Sequence, residues 1–71
     1  MSVEILAPMP GKIVDVLVNV GDQVSEDDEL IILEAMKMEN PVYATADGVV
    51  KEIKVKKNDT VTADQLLLIL E

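Results

Sequence analysis

The 71-residue chain contains no cysteine and no histidine, and these two gaps remove most of what a small domain uses for bracing or for chemistry. Disulfides are excluded, and so are the commonest transition-metal sites. The usual nucleophile–base pairs cannot be assembled, because Ser2, Ser25, Thr45, Thr60, Thr62 and Tyr43 have no imidazole to activate them. A carboxylate pair would need a substrate cleft that a chain of this size has little room to form. The chain is therefore expected not to be an enzyme, and no metal site is expected. Aromatics are scarce as well, at 1% of residues, so the 49% that is hydrophobic must build its core from aliphatic side chains. Cations number six against fourteen acids, a net charge of −8. A surface of that sign repels nucleic-acid backbones and anionic membranes. The longest uninterrupted apolar run, Leu66 to Leu70, is far too short for a membrane span. The first residues, MSVEILAP, lack the basic and apolar regions of a signal peptide. The expectation is a soluble cytoplasmic domain occupying residues 1–71, with zero cysteine compatible with that compartment, and a monomer given its strong charge.

What the chain does have is one unit written twice. Shifted by 37 positions, residues 11–34 lie over residues 48–71 without a gap, with nine of 24 positions identical. The identical pairs include Gly11/Gly48, Asp22/Asp59, Val24/Val61, Asp27/Asp64 and Leu33/Leu70. In each copy a Val/Ile-rich stretch (11–18, 48–55) shows no helical stripe and reads as a strand. The shared apolar positions 13/50, 16/53 and 18/55 skip one residue out of strict alternation, which predicts a bulge near 14–15 and 51–52. Gly21-Asp22 and Asn58-Asp59 predict turns, since Gly and Asn tolerate positive φ. A short strand around Val24 or Val61, a polar corner and an apolar strand (30–34, 66–71) complete each copy, and a short strand precedes it, at 3–6 and 40–44. Two sets of four short strands predict an all-β fold, a flattened barrel or sandwich of two four-stranded antiparallel sheets with quasi-two-fold symmetry. Pro41 removes a ladder donor and places its strand at an edge.

Between the copies lies EAMKMEN, residues 34–40. Residues 35–38 leave no room for a loop, so they form a tight hairpin with Lys37 at its tip, and symmetry puts that tip opposite the chain termini. Two-residue turns favour Asn-Gly or Asp-Gly, and neither is present. Met36 and Met38 either pack into the core beside the turn or stand exposed as adaptable surface. Lys37 is either a solvated hairpin lysine, paired with Glu34 or Glu39, or the point of the molecule. The acidic corner SEDDE (25–29) suggests calcium, but the second copy has TADQL there; Ser or Thr followed two residues on by Asp is instead the pattern of a capped turn. Val14 and Leu17 stand where the second copy has Lys51 and Lys54, as a partner-facing patch or as ordinary surface residues.

AMKM (35–38), preceded by APMPG (7–11) and GDQV (21–24), resembles the biotinyl domain of biotin-dependent carboxylases, within the wider biotinyl/lipoyl attachment family. The resemblance covers essentially the whole chain, which is expected to be most similar to free-standing biotin/lipoyl attachment proteins, with an excised carboxylase fragment as the alternative. It implies that Lys37 is covalently biotinylated by a biotin protein ligase, with Ala35, Met36 and Met38 as the surrounding motif. Glu34 and Glu39 are candidates for recognition by the ligase. It implies a carrier that shuttles carboxyl groups between biotin carboxylase and carboxyltransferase components. Methionine on both sides of the lysine matches the biotinyl pattern, whereas lipoyl domains usually have Asp before it and Ala or Ser after it. A lipoyl or dual carrier served by a lipoate ligase is the alternative, and an unmodified docking module a further one. The thumb segment of some bacterial carriers is missing.

Overall fold

Stretches rich in Val, Ile and Leu suit a pleated surface buried on one face, and eight of them form strands here. The computed structural model describes residues 2–71. In order they are β1 (Val3–Leu6), β2 (Gly11–Val16), β3 (Gln23–Val24), β4 (Glu29–Ala35), β5 (Met38–Tyr43), β6 (Gly48–Ile53), β7 (Thr60–Val61) and β8 (Leu66–Leu70). They make two antiparallel four-stranded sheets, ordered β1-β8-β6-β3 and β5-β4-β2-β7. A shift of 37 residues, up or down, exchanges the two sheets strand for strand: β1 with β5, β2 with β6, β3 with β7 and β4 with β8. Among the described residues no helix is long and apolar enough to cross a membrane.

Both predicted bulges are present. The β2/β4 register shifts between Ile13 and Asp15, and the β6/β8 register between Val50 and Glu52, so the residue left over is Val14 in one copy and Lys51 in the other. The predicted strands 11–18 and 48–55 end two residues early, at Val16 and Ile53. Leu17 and Lys54 still donate one bond each, to the carbonyls of Leu30 and Leu67, before the chain turns away. Pro41 lies on β5, which among the described residues pairs only with β4 and is a sheet edge.

Four tight turns share one device. At 19–22, 25–28, 56–59 and 62–65 the fourth residue's N–H donates to the first residue's carbonyl, at 3.0, 3.0, 3.0 and 3.2 Å. The fourth side chain then accepts from the first residue's N–H: Asp22 from Asn19, Asp28 from Ser25, Asp59 from Lys56 and Gln65 from Thr62. The third residue of each, Gly21, Asp27, Asn58 or Asp64, has positive φ, as a type II turn requires. This corrects the capped-turn expectation at the polar corners. Asp27 and Asp64 supply the left-handed backbone, and the capping side chain is one residue further on.

The two copies are stitched to each other. Gly21 donates to Val50 and Asn58 donates to Ile13 (both 2.8 Å), so each copy's turn bonds the other copy's strand. β2 pairs with β7 and β3 with β6 in the same exchanged manner. Inside sits an all-aliphatic core of matched pairs, among them Ile5/Val42, Ala7/Ala44, Ile13/Val50, Val24/Val61, Ile31/Leu68 and Leu33/Leu70. No polar or charged residue is buried among the described residues. Truncating one of the fully buried leucines to alanine would cost about 2–5 kcal/mol, a large fraction of what a domain this small can hold.

Candidate functional site

β4 and β5 stay paired to their last residues, with Glu34 opposite Glu39 and Ala35 opposite Met38. Only Met36 and Lys37 are left to reverse the chain, and both take positive φ, 53° and 66°. Left-handed backbone at both central positions is the type I′ turn, whose twist matches that of the flanking strands. A side chain with a Cβ resists that conformation by roughly 1–2 kcal/mol per residue. Neither residue is Gly, Asn or Asp, so the tip carries strain that ordinary turn residues would remove.

Ala35 is buried and fixes the hairpin to the core. Beyond it everything is open. Met36 is 92% exposed and Met38 65% exposed, which excludes the core-packing alternative for both. Lys37, Glu34 and Glu39 are exposed as well. Among the described residues the lysine has no carboxylate within 4.0 Å, the ion pairs being Lys51–Glu71 and Lys54–Glu52; the Glu34 or Glu39 partner considered from the sequence is not engaged. Asn40 donates its side-chain amide to the carbonyl of Met38 at 3.2 Å and steadies the strand leaving the tip. Like charges directly opposite on a ladder are destabilising, so the Glu34/Glu39 pair, like the strained turn, contributes nothing to folding.

The base of the hairpin rests on Gly11, the last residue of APMPG. A Cβ at Gly11 would collide with the carbonyl oxygen of Glu34, whereas one at Gly48 would stand 3.1 Å from that of Glu71. Glycine at position 11 is thus what lets β2 close on β4 under the tip. Sequence reasoning missed its role; the signal available was its position opposite the residues before the turn. At the acidic corner, Asp28 is engaged by Ser25, and among the described residues no three acidic side chains converge as a metal site would require.

The tip therefore presents an exposed primary amine on a strained, rigidly based two-residue turn, with exposed apolar side chains beside it. The comparisons give the fold its family. The model of the biotin/lipoyl family, described as "Biotin-requiring enzyme", matches residues 3–70, and the chain belongs to that family. It is 56% identical over 62 residues to a biotin carboxyl carrier protein of Streptococcus mutans, covering 87% of this chain and 48% of that one. It is 41% identical over 68 residues to the mitochondrial pyruvate carboxylase of Mus musculus, covering 96% of this chain and 6% of that one. The chain thus spans about half of the first relative and a small part of the second. The crystal structure of the Kluyveromyces lactis urea carboxylase superposes with a TM-score of 0.94 at 34% identity, over 100% of this chain and 6% of that one.

Proposed function

We propose that the chain is a biotin carboxyl carrier, a non-catalytic domain of a cytoplasmic biotin-dependent carboxylase system, with Lys37 as its attachment point. The observation that carries this reading is the geometry of the tip: an unpaired, exposed lysine held by left-handed backbone between two exposed methionines. The residues fit a covalently held group. The amine is open on all sides and its base is fixed, so a ligase can enclose the tip without unfolding the barrel. Nζ, once deprotonated, forms an amide with the carboxyl carbon of activated biotin as the activating group leaves, and the lysine's charge is lost. When bound, the group supplies a ring nitrogen able to accept and release a carboxyl group. The chain's own part is mechanical: a stiff barrel supports a mobile arm.

Met36, Met38, Glu34 and Glu39, standing on Ala35, form the face a biotin protein ligase would read. The apolar pair offers adaptable contact, and the carboxylates offer charge to a cationic ligase surface. The test is the intact mass of the chain after expression with biotin and lipoate ligases and both cofactors, beside Lys37→Ala and Lys37→Arg variants. A biotinyl increment on the parent, lost in both variants, is expected. A lipoyl increment would reassign the cofactor, and no increment with active ligases would leave a docking module.

A further inference from the structure

The internal repeat provides a control for every surface position, because the same fold is built twice from different residues. Residues 14–29 carry six carboxylates and no cation, while their counterparts at 51–66 carry four lysines and three carboxylates. Val14, Leu17 and Val20 stand where the second copy has Lys51, Lys54 and Lys57. Leu17 is 46% and Val20 63% exposed, and Val14 is half-buried on its bulge. A lysine satisfies the fold at each of the corresponding places, so the apolar side chains of the first copy are not there to complete a core. Leu17 also lines an open cleft with Val18 and Val24, and Asp22, Asp28 and Glu29 lie along it. The second copy's residues at the three acidic positions are Asp59, Gln65 and Leu66.

We propose that Leu17, with the carboxylates along its cleft and the exposed Val20 three residues on, is the surface by which a carboxylase component holds the domain. The proposal rests on the carrier reading above. The occupant it fits is an apolar patch ringed by lysine and arginine on a protein partner: the exposed apolar residues supply the centre and the carboxylates an anionic rim. The location selects the component over the ligase. Leu17 bonds Leu30, five residues before Ala35 on β4, which is about 17 Å along the strand at ~3.3 Å per residue. A ligase must enclose the tip itself, whereas a partner seated at Leu17 leaves the tip and its arm free to move.

The test takes the biotinylated chain as substrate for a purified biotin carboxylase subunit, comparing the parent with Leu17→Lys/Val20→Lys. These replacements copy the chain's own second half, so folding is preserved, and the rate of biotinylation by the ligase reads the tip independently. KM is expected to rise about tenfold or more, as when central contacts of an interface are removed, with kcat and biotinylation rate unchanged. KM of the parent should also rise between low and physiological salt. The reverse change in the second copy, Lys54→Leu/Lys57→Val, should leave KM within twofold. A double variant with parental KM overturns the docking surface. A parent that takes no biotinyl increment, or that is biotinylated but not carboxylated, overturns the carrier reading instead.

Discussion

Met36 and Lys37 hold backbone angles that their side chains resist, and that strain is stored at the tip. Relieving it should therefore stabilise the protein. Met36→Asn, a residue suited to the first position of such a turn, is expected to add about 1 kcal/mol and to raise Tm by roughly 4–8 °C for a domain of this size. The same variant should be biotinylated more slowly, so calorimetry and a ligase assay would move in opposite directions. A rise in both would mean that Met36 has no part in recognition. Lys37 was legible as the attachment candidate from AMKM lying between the two copies. Its left-handed backbone was not, because Met-Lys carries none of the local chemistry by which turn types are read. The exposure of the methionines was equally hidden, since their hydrophobicity is consistent with either side of the sheet.

Elements in this protein are joined by turns whose geometry depends on particular acceptors. Asp28 caps Ser25 while Asp27 supplies the positive φ, and the two should respond differently to mutation. Asp28→Ala is expected to cost about 1 kcal/mol, the worth of a typical hydrogen bond, whereas Asp27→Gly should be neutral or stabilising by up to ~1 kcal/mol; urea denaturation of the two variants separates them. Gly11→Ala should cost ~1–3 kcal/mol as backbone is forced apart, and Gly48→Ala less, because the Gly11 clash with Glu34 is the closer. Lys54 donates to Glu52 at 2.7 Å and, with Lys51 nearby, holds that carboxyl below its ordinary value. A lowered value makes the pair's contribution present above the ordinary carboxylate range and lost as pH falls through the folded value. Glu52 is exposed, so its effect on unfolding is slight; an NMR titration should show its value rising in Lys54→Ala. Strand positions, both bulges and the edge assignment of Pro41 could be read from the repeat, since apolar periodicity and proline chemistry act locally. Which side chain closes each turn depends on three-residue geometry that composition does not display.

At the scale of the whole molecule, the repeat predicted two sheets exchanged by a shift of 37 but not that the copies would interlock. The net charge of −8 is spread over a body only 32 × 17 × 17 Å. Self-repulsion at that density destabilises the compact state. Adding salt from 0.01 to 0.15 M, which shortens the screening length from roughly 30 to 8 Å, is expected to raise Tm, and a flat or falling Tm would show that attractive pairs dominate. The interlocking has a kinetic consequence. β1 finds its partner at the far end of the chain, β2 pairs β7 and β3 pairs β6 across the copies, and the pairings within a copy, β2 with β4 and β6 with β8, each skip an intervening strand, so among the described strands the tip hairpin alone joins sequence neighbours. Folding must wait for distant segments to meet and should be slow for so short a chain. Once formed, neither half can open alone. The link at 45–47 is then dispensable in the folded state: a chain cut there would keep its two pieces clasped together, held by the ladders rather than by covalent continuity.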